Sequence, residues 1–199
     1  EIRDTDPSSG KMVKVGDFIF DELADEKINE FASEHSTRFR VALAEGVSSW
    51  QVYKALLEIK FLTGKLENIP DEGTIAPASY DFVIGMTKEA LIKKMQERQA
   101  SILNQAWNAR QPNLPINTKQ EALILASIIE KETSLEIERG KVSSVFVNRL
   151  LREIALQTDA SVVYGITRGK KVLGRGLRRS ELKKDTPWNT YVNKGLPPS

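Results

Sequence analysis

Two glutamates at the end of an apolar helical segment are the side chains best placed to move a proton. The segment, residues 123–133, reads LILASIIEKET and contains Glu130 and Glu132. On a helix, the two carboxylates point about 160° apart. Glu130 falls beside small residues, whereas Glu132 falls within the richest apolar stripe, which consists of Leu125, Ile128, Ile129 and Leu135.

A carboxylate in an apolar stripe can have one of three fates. It can pair with an arginine such as Arg139 or Arg149, it can reach water at the helix end, or it can be desolvated and keep its proton near neutral pH. The protonated form suits a general acid that protonates a glycosidic oxygen. The residues alone leave all three fates open.

The composition excludes several other chemistries. The 199 residues contain no cysteine and a single histidine, His35, so thiolate nucleophiles, disulfides and Cys-ligated zinc are excluded and a multi-His metal site is disfavoured. We therefore expect no metal and no cofactor, with carboxylates carrying the proton chemistry. The charged fraction of 28% and the hydrophobic fraction of 40% are typical of a soluble globular protein.

Short polar side chains in two later segments are candidates for binding a polyhydroxyl ligand. Residues 157–159 (QTD) follow an apolar helix, with Tyr164 shortly after them. Thr158 or Asp159 is equally suited to capping a helix. Asn189 and Tyr191 lie beside a tryptophan near the C-terminus, where aromatic faces can stack on sugar rings or fill a core.

A basic segment, residues 168–184, holds eight Lys or Arg against one acid, Glu181. Such a segment can mark a nucleic-acid surface, but a base-stacking platform needs aromatic residues between the charges, and this segment has none. We interpret it as a solvated loop that can also meet an anionic polymer or lipid surface. We expect no nucleic-acid partner.

Hydrophobic spacing and capping residues predict the elements that position these groups. Before Gly64 we expect a strand at Met12–Val15, a helix over Asp21–Ser33, a strand over Arg38–Ala44 and a helix from Ser48 to Ile59. The last opens with a capping box, because Gln51 follows Ser48 at the third position. Residues 63–86 predict a long connection.

Three helices are predicted after the connection, and their predicted caps are Thr87, Thr118 and Ser134, with Glu121 completing a second capping box at Thr118. The second helix carries both glutamates, and the third presents to the core Val142, Val145, Phe146 and Leu150. The fold class is therefore α+β. We expect a small mixed α/β subdomain over residues 1–64 and a mostly helical domain over residues 65–199, with a loop-rich C-terminal part.

Five motifs occur in the order found in one known family. They are LASIIEKET (125–133), VFVNRL (145–150), LQTD (156–159) with VYG (163–165), NTY (189–191) and GLPP (195–198). With them the chain resembles the YceG-like family of endolytic murein transglycosylases (MltG). A looser resemblance reaches back through residues 45–46 and 72–80, and earlier residues are similar to the family's LysM-like subdomain.

The resemblance implies that Glu132 is the catalytic residue. This is the glutamate that the helical wheel places within the apolar stripe. It further implies a set of substrate-binding residues, namely Gln157, Asp159, Tyr164, Asn189 and Tyr191. The implied reaction cleaves the MurNAc–GlcNAc bond inside peptidoglycan strands and leaves 1,6-anhydro-MurNAc ends, with no cofactor. The implied partners are glycan strands and peptidoglycan synthases (penicillin-binding proteins). The implied location is the periplasmic face of the bacterial cytoplasmic membrane, held by an N-terminal helix that this chain lacks.

Three departures from the family pattern leave alternatives open. Ala78 and Ser79 stand where the family commonly has Asp and Thr, Ala160 stands where it commonly has Pro, and family members continue beyond Ser199. One alternative is a catalytically impaired glycan-binding or synthase-docking module of the cell wall. Another is a hydrolase with Asp159 as base, which requires carboxylates about 6.5 to 9.5 Å apart.

Overall fold

The computed structural model describes residues 11–15, 18–22 and 38–199, and this part of the chain has an α+β fold. Its four strands form one antiparallel sheet in chain order. They are β1 (Lys11–Val15), β2 (Phe18–Glu22), β3 (Arg38–Ala42) and β4 (Ser79–Val83). The strands predicted at Met12–Val15 and Arg38–Ala44 are thus confirmed.

Strands β3 and β4 show why the sheet forms here. Phe39 and Val41 alternate with Arg40 along β3, so the two apolar side chains are buried while Arg40 faces outward. Its Nε lies 2.7 Å from Asp81 Oδ1 on β4, which pairs the two strands across their exposed face.

Two expectations for this part of the chain are wrong. Strand β4 lies inside the segment predicted as a connection, where Tyr80 and Phe82 supply a buried face that is too short to stand out among the flanking prolines and glycines. Asp21 and Glu22 belong to β2 and pair with β1, so they do not begin a helix. The rest of that predicted helix, residues 23–33, lies outside the described residues.

Six helices lie in the described part of the chain. They are α1 (Ser49–Glu58), α2 (Lys88–Asn108), α3 (Lys119–Glu132), α4 (Glu136–Leu151), α5 (Asp159–Thr167) and α6 (Arg179–Lys183). The predicted capping boxes at Ser48 and Thr118 both form, and Thr87 caps α2. None of these helices is long and apolar enough to cross a membrane.

Helix α4 departs from the expectation at its start and on one face. It begins after Leu135 without a side-chain cap, so the predicted cap at Ser134 is wrong. Thr133 Oγ1 instead accepts the Leu135 N–H at 3.1 Å. Val145, predicted to face the core, is exposed, while Phe146 is buried.

The described residues pack into two apolar cores. The first joins β3 and β4 to α1 and α2, and the second joins α3 and α4 to Leu156. The first core contains residues from both sides of position 64, among them Leu62 and Leu66. The domain boundary at residue 64 stays a prediction. The second core positions the candidate site, because α3 ends and α5 begins beside it.

Candidate active site

Glu132 is the last residue of α3, and its side chain is exposed. The helix stops there because Thr133 takes up an extended backbone conformation. Leu135 therefore leaves the apolar stripe predicted for it and is exposed, while Leu125 and Ile128 remain buried. Of the three fates, Glu132 takes the second, the open helix end.

Glu132 is held there by a neutral hydroxyl. The Oγ1 of Thr158 donates a hydrogen bond to Glu132 Oε1. The arginines considered as its partners are used elsewhere: Arg139 Nη2 lies 3.0 Å from Glu130 Oε2, and Arg149 Nη1 donates to the Leu156 carbonyl. The two glutamates thus differ in partner as well as in helix face.

Thr158 belongs to a buried set of three hydroxyl residues, which we call the hydroxyl cluster: Thr158, Ser161 and Thr190. Their exposed fractions are 2%, 5% and 1%. Thr190 Oγ1 accepts the Thr158 N–H at 3.1 Å and lies 2.8 Å from Ser161 Oγ, which in turn donates to the Thr158 carbonyl at 3.0 Å. The cluster ties the start of α5 to the segment that carries residues 189–191.

Tyr191 and Asp159 form the second polar feature beside Glu132. The Tyr191 hydroxyl donates to Asp159 Oδ1 at 2.7 Å. This hydrogen bond, together with partial burial and the negative charges of Asp159 and Glu132, raises the pKa of Tyr191 to about 12, against a smaller opposing effect of Arg149. The structure therefore brings Glu132, Asp159 and Tyr191 into one electrostatic environment.

We expect Asp159→Asn to lower the pKa of Tyr191 from about 12 toward its ordinary value of 10.0, because the charged acceptor is removed. Carbon-13 NMR of tyrosine labelled at Cζ follows the titration, with Tyr53, Tyr80 and Tyr164 as internal controls. Because the folded-state pKa lies above the unfolded one, the stabilisation is complete below pH 10 and is lost as the pH rises toward 12. An unchanged Tyr191 titration in Asp159→Asn would contradict the pairing.

Gln157 lies next to these groups at a strained turn. Its side chain is exposed and its φ of 52° is left-handed, which favours glycine over other residues. The backbone holds it there, since the Gln157 N–H donates to the Thr190 carbonyl at 2.9 Å. Gln157 is thus available to a ligand at the edge of the site.

Asn189 is placed differently from the prediction. Its side chain is fully buried, and Nδ2 lies within hydrogen-bond distance of three carbonyls, those of Glu181, Leu182 and Lys184, at 3.2, 3.1 and 2.7 Å. Its Oδ1 accepts the Tyr191 N–H at 3.0 Å. The amide therefore orients Tyr191 and has no exposed atom for the substrate contact that the resemblance implies.

Tyr164, also predicted as a substrate-binding residue, lies beside Glu72. Burial, followed by the charge of Glu72, raises its pKa, and its hydroxyl hydrogen-bonds Glu72. Together with Trp50 and Arg168, these two residues line an open cavity of about 610 Å³.

The hydroxyl cluster as a group was not predicted from the sequence. The sequence predicts that Thr158 either binds a polyhydroxyl ligand with its neighbours or caps a helix; it occupies the N-cap position of α5, but its side chain makes no capping hydrogen bond. Ser161 and Thr190 were not singled out. Ser161 and Thr190 are small hydroxyl residues within apolar motifs, and this pattern is equally typical of ordinary core packing.

The described residues contain no group of three or more His, Asp or Glu side chains that could hold a metal ion. The candidate site instead consists of carboxylates, hydroxyls and one phenol. This arrangement can exchange protons and form hydrogen bonds with a polar ligand.

A model of the YceG-like family matches residues 5–199. The chain belongs to the YceG-like family. This confirms the resemblance found in the five motifs, and it covers nearly the whole chain. A crystal structure of a yceG-like protein from Listeria monocytogenes matches with a TM-score of 0.63 and 24% identity, over 87% of this chain and 65% of that chain. At this identity the likeness supports the YceG-like fold alone.

Two relatives are named endolytic murein transglycosylase. The relative from Bacillus subtilis strain 168 is 34% identical over 130 residues, which make up 65% of this chain and 34% of the relative. The relative from Streptococcus pneumoniae D39 is 33% identical over 133 residues, covering 64% of this chain and 23% of the relative. The alignments thus span about a third and a quarter of these relatives.

The two alanine departures from the YceG-like pattern occupy ordinary structural positions. Ala78 packs against the first core, and its carbonyl accepts the Leu43 N–H at 3.0 Å. Ala160 is the second residue of α5, where alanine is a good helix former. Both substitutions are compatible with the local fold.

Proposed function

We propose that this chain is a peptidoglycan lytic transglycosylase in which Glu132 is the general acid and base. The observation that carries the proposal is the placement of Glu132: an exposed carboxylate at a helix end, held by Thr158 and beside the Tyr191–Asp159 pair. The names of the two relatives support murein as the substrate class.

The reaction requires one carboxyl group that acts first as a general acid and then as a general base. Protonated Glu132 donates its proton to the glycosidic oxygen as the bond to C1 breaks with oxocarbenium character. The resulting carboxylate takes the proton of the C6 hydroxyl of the same sugar, whose oxygen attacks C1 and closes a 1,6-anhydro ring. Because this nucleophile is already attached to the substrate, its effective concentration is high.

The pairing of Asp159 favours ring closure over hydrolysis. A hydrolase of the inverting type needs a second carboxylate free to activate water. Asp159 Oδ1 instead accepts a hydrogen bond from Tyr191, whose pKa of about 12 keeps the phenol protonated at physiological pH. Asp159 and Tyr191, with the exposed Gln157, are better suited to orienting a sugar.

The finer features of the function are part of the same proposal. We infer endolytic cleavage of MurNAc–GlcNAc bonds, peptidoglycan synthases as partners, and an extracytoplasmic location at the periplasmic face of the cytoplasmic membrane. The names of the two relatives support endolytic cleavage of murein and an extracytoplasmic location, whereas the synthase partners and the membrane face follow from the family resemblance alone.

Mass spectrometry of the products tests the proposal. We expect the chain, incubated with isolated peptidoglycan, to release internal fragments that end in 1,6-anhydro-MurNAc. Hydrolysis leaves reducing ends, which are heavier by one water and react with borohydride, whereas anhydro ends do not. Reducing ends would assign a hydrolase. Binding without any product would favour the glycan-binding alternative.

A further inference from the structure

We propose that Thr158 is a positioning residue that fixes the Glu132 carboxylate by its Oε1 and leaves Oε2 as the atom that delivers and recovers the proton. The inference rests on the proposed function and deepens it, because it assigns separate tasks to the two oxygens. Its starting observation is the hydrogen bond from Thr158 Oγ1 to Glu132 Oε1.

Thr158 can position another side chain because it is itself rigidly held. It is only 2% exposed, and both its backbone N–H and its carbonyl are bound by the hydroxyl cluster. The neighbouring residue is fixed as well, since Gln157 N–H donates to the Thr190 carbonyl. Glu132 therefore meets a donor whose place is set by two separate segments of the chain.

The hydrogen bond also distinguishes the two carboxyl oxygens. A threonine hydroxyl has one proton, which is here donated to Oε1. In a protonated carboxyl group, the carbonyl oxygen is the better acceptor, so the acid proton resides on Oε2. When Oε2 gives up that proton, the same Thr158 hydrogen bond strengthens on the new carboxylate, because donors bind charged acceptors more strongly.

A hydroxyl is well matched to this task because it restrains the carboxyl group without carrying charge. An arginine in its place would stabilise the carboxylate strongly and so oppose protonation. The nearby arginine that faces this end of α3, Arg139, pairs with Glu130 instead. The arrangement holds Glu132 in position without placing a cation against its carboxylate.

Thr158→Val tests the assignment, with Thr158→Ser as the conservative rescue. Valine keeps the shape and the backbone hydrogen bonds but removes the donor. We expect kcat to fall by about 10- to 10²-fold with KM unchanged, as for a small misplacement of a reacting group. The pH–rate profile should also shift to higher pH, because the donor that favours the charged form is lost. Thr158→Ser should restore both within a few-fold.

Thr63→Val is the matched control, since it removes a threonine hydroxyl that donates to the Gly85 carbonyl at an exposed position beside the first core. We expect its kcat and pH profile to equal those of the unmodified chain. If Thr158→Val does not fold, Thr158→Ala removes the same donor with less volume and takes its place in the comparison.

A crystal structure of each variant supplies a readout that does not depend on activity. We expect the Glu132 carboxylate to leave its position in Thr158→Val and to keep it in Thr158→Ser. An unmoved carboxylate, or an unchanged kcat and pH profile, would overturn the positioning role while the product analysis still supports the function. Absence of anhydro products from the unmodified chain would instead overturn the function, and the crystal structures would still decide the positioning role.

Discussion

Glu132→Gln is expected to lower the rate of glycan cleavage by at least about 10²- to 10⁴-fold while the protein stays folded. Glutamine keeps the shape of the side chain, and its carbonyl oxygen can still accept the Thr158 hydrogen bond. It has no proton to give to the glycosidic oxygen. Because Glu132 is exposed at the end of α3, the substitution leaves no buried charge or cavity.

Glu130→Gln is the matched control for this prediction. It removes one negative charge from the same helix two residues away and breaks the ion pair with Arg139, in which the Arg139 and Glu130 side chains are 42% and 27% exposed. Such pairs contribute about 0 to 1 kcal/mol, so both fold and cleavage should be close to normal. Equal cleavage by the unmodified chain and Glu132→Gln, measured as anhydro ends by mass spectrometry, would refute the assignment of Glu132 as the general acid.

The helical wheel places the two glutamates on different faces, and both lie in the regular helix α3. Within α3, Leu125 and Ile128 are buried as the wheel predicts, but Glu132 is exposed and Glu130 is half-buried, so the wheel was wrong about which carboxylate lies among apolar side chains. The wheel was wrong at Leu135, which lies beyond Thr133, where the backbone leaves the helix. Periodicity predicts side-chain direction only up to the residue at which the helix ends.

Capping boxes were the most dependable local signal, because both partners are close in sequence. The boxes at Ser48 and Thr118 form as predicted. The position of Thr158 shows the opposite case. Its residue type indicates a cap, but its hydroxyl is taken by a carboxylate 26 residues earlier in the chain. Local sequence carries no information about such a distant competitor.

Strand β4 was not predicted because it depends on pairing with β3, which is distant in the sequence. Its five residues bury only Tyr80 and Phe82, and they become a strand because β3 offers a complete row of partners. Short strands depend on pairing with distant residues far more than on intrinsic preference. The resemblance implies substrate contact for Asn189, which is fully buried, because the order of motifs reports family membership and not which side chains reach the surface.

Asn189→Asp is expected to lower the free energy of unfolding by about 3 kcal/mol, because at a fully buried position it removes the amide donor from three carbonyls and places a carboxylate against them. Urea denaturation followed by circular dichroism measures the change, and Asn68→Asp, at an exposed position, is the matched control. Cleavage by Asn189→Asp should follow its folded fraction with KM unchanged. Should Asn189→Asp instead unfold like the unmodified chain but show a raised KM, Asn189 contacts the glycan directly, as the family resemblance implied, and its buried position in the fold would have to open to substrate.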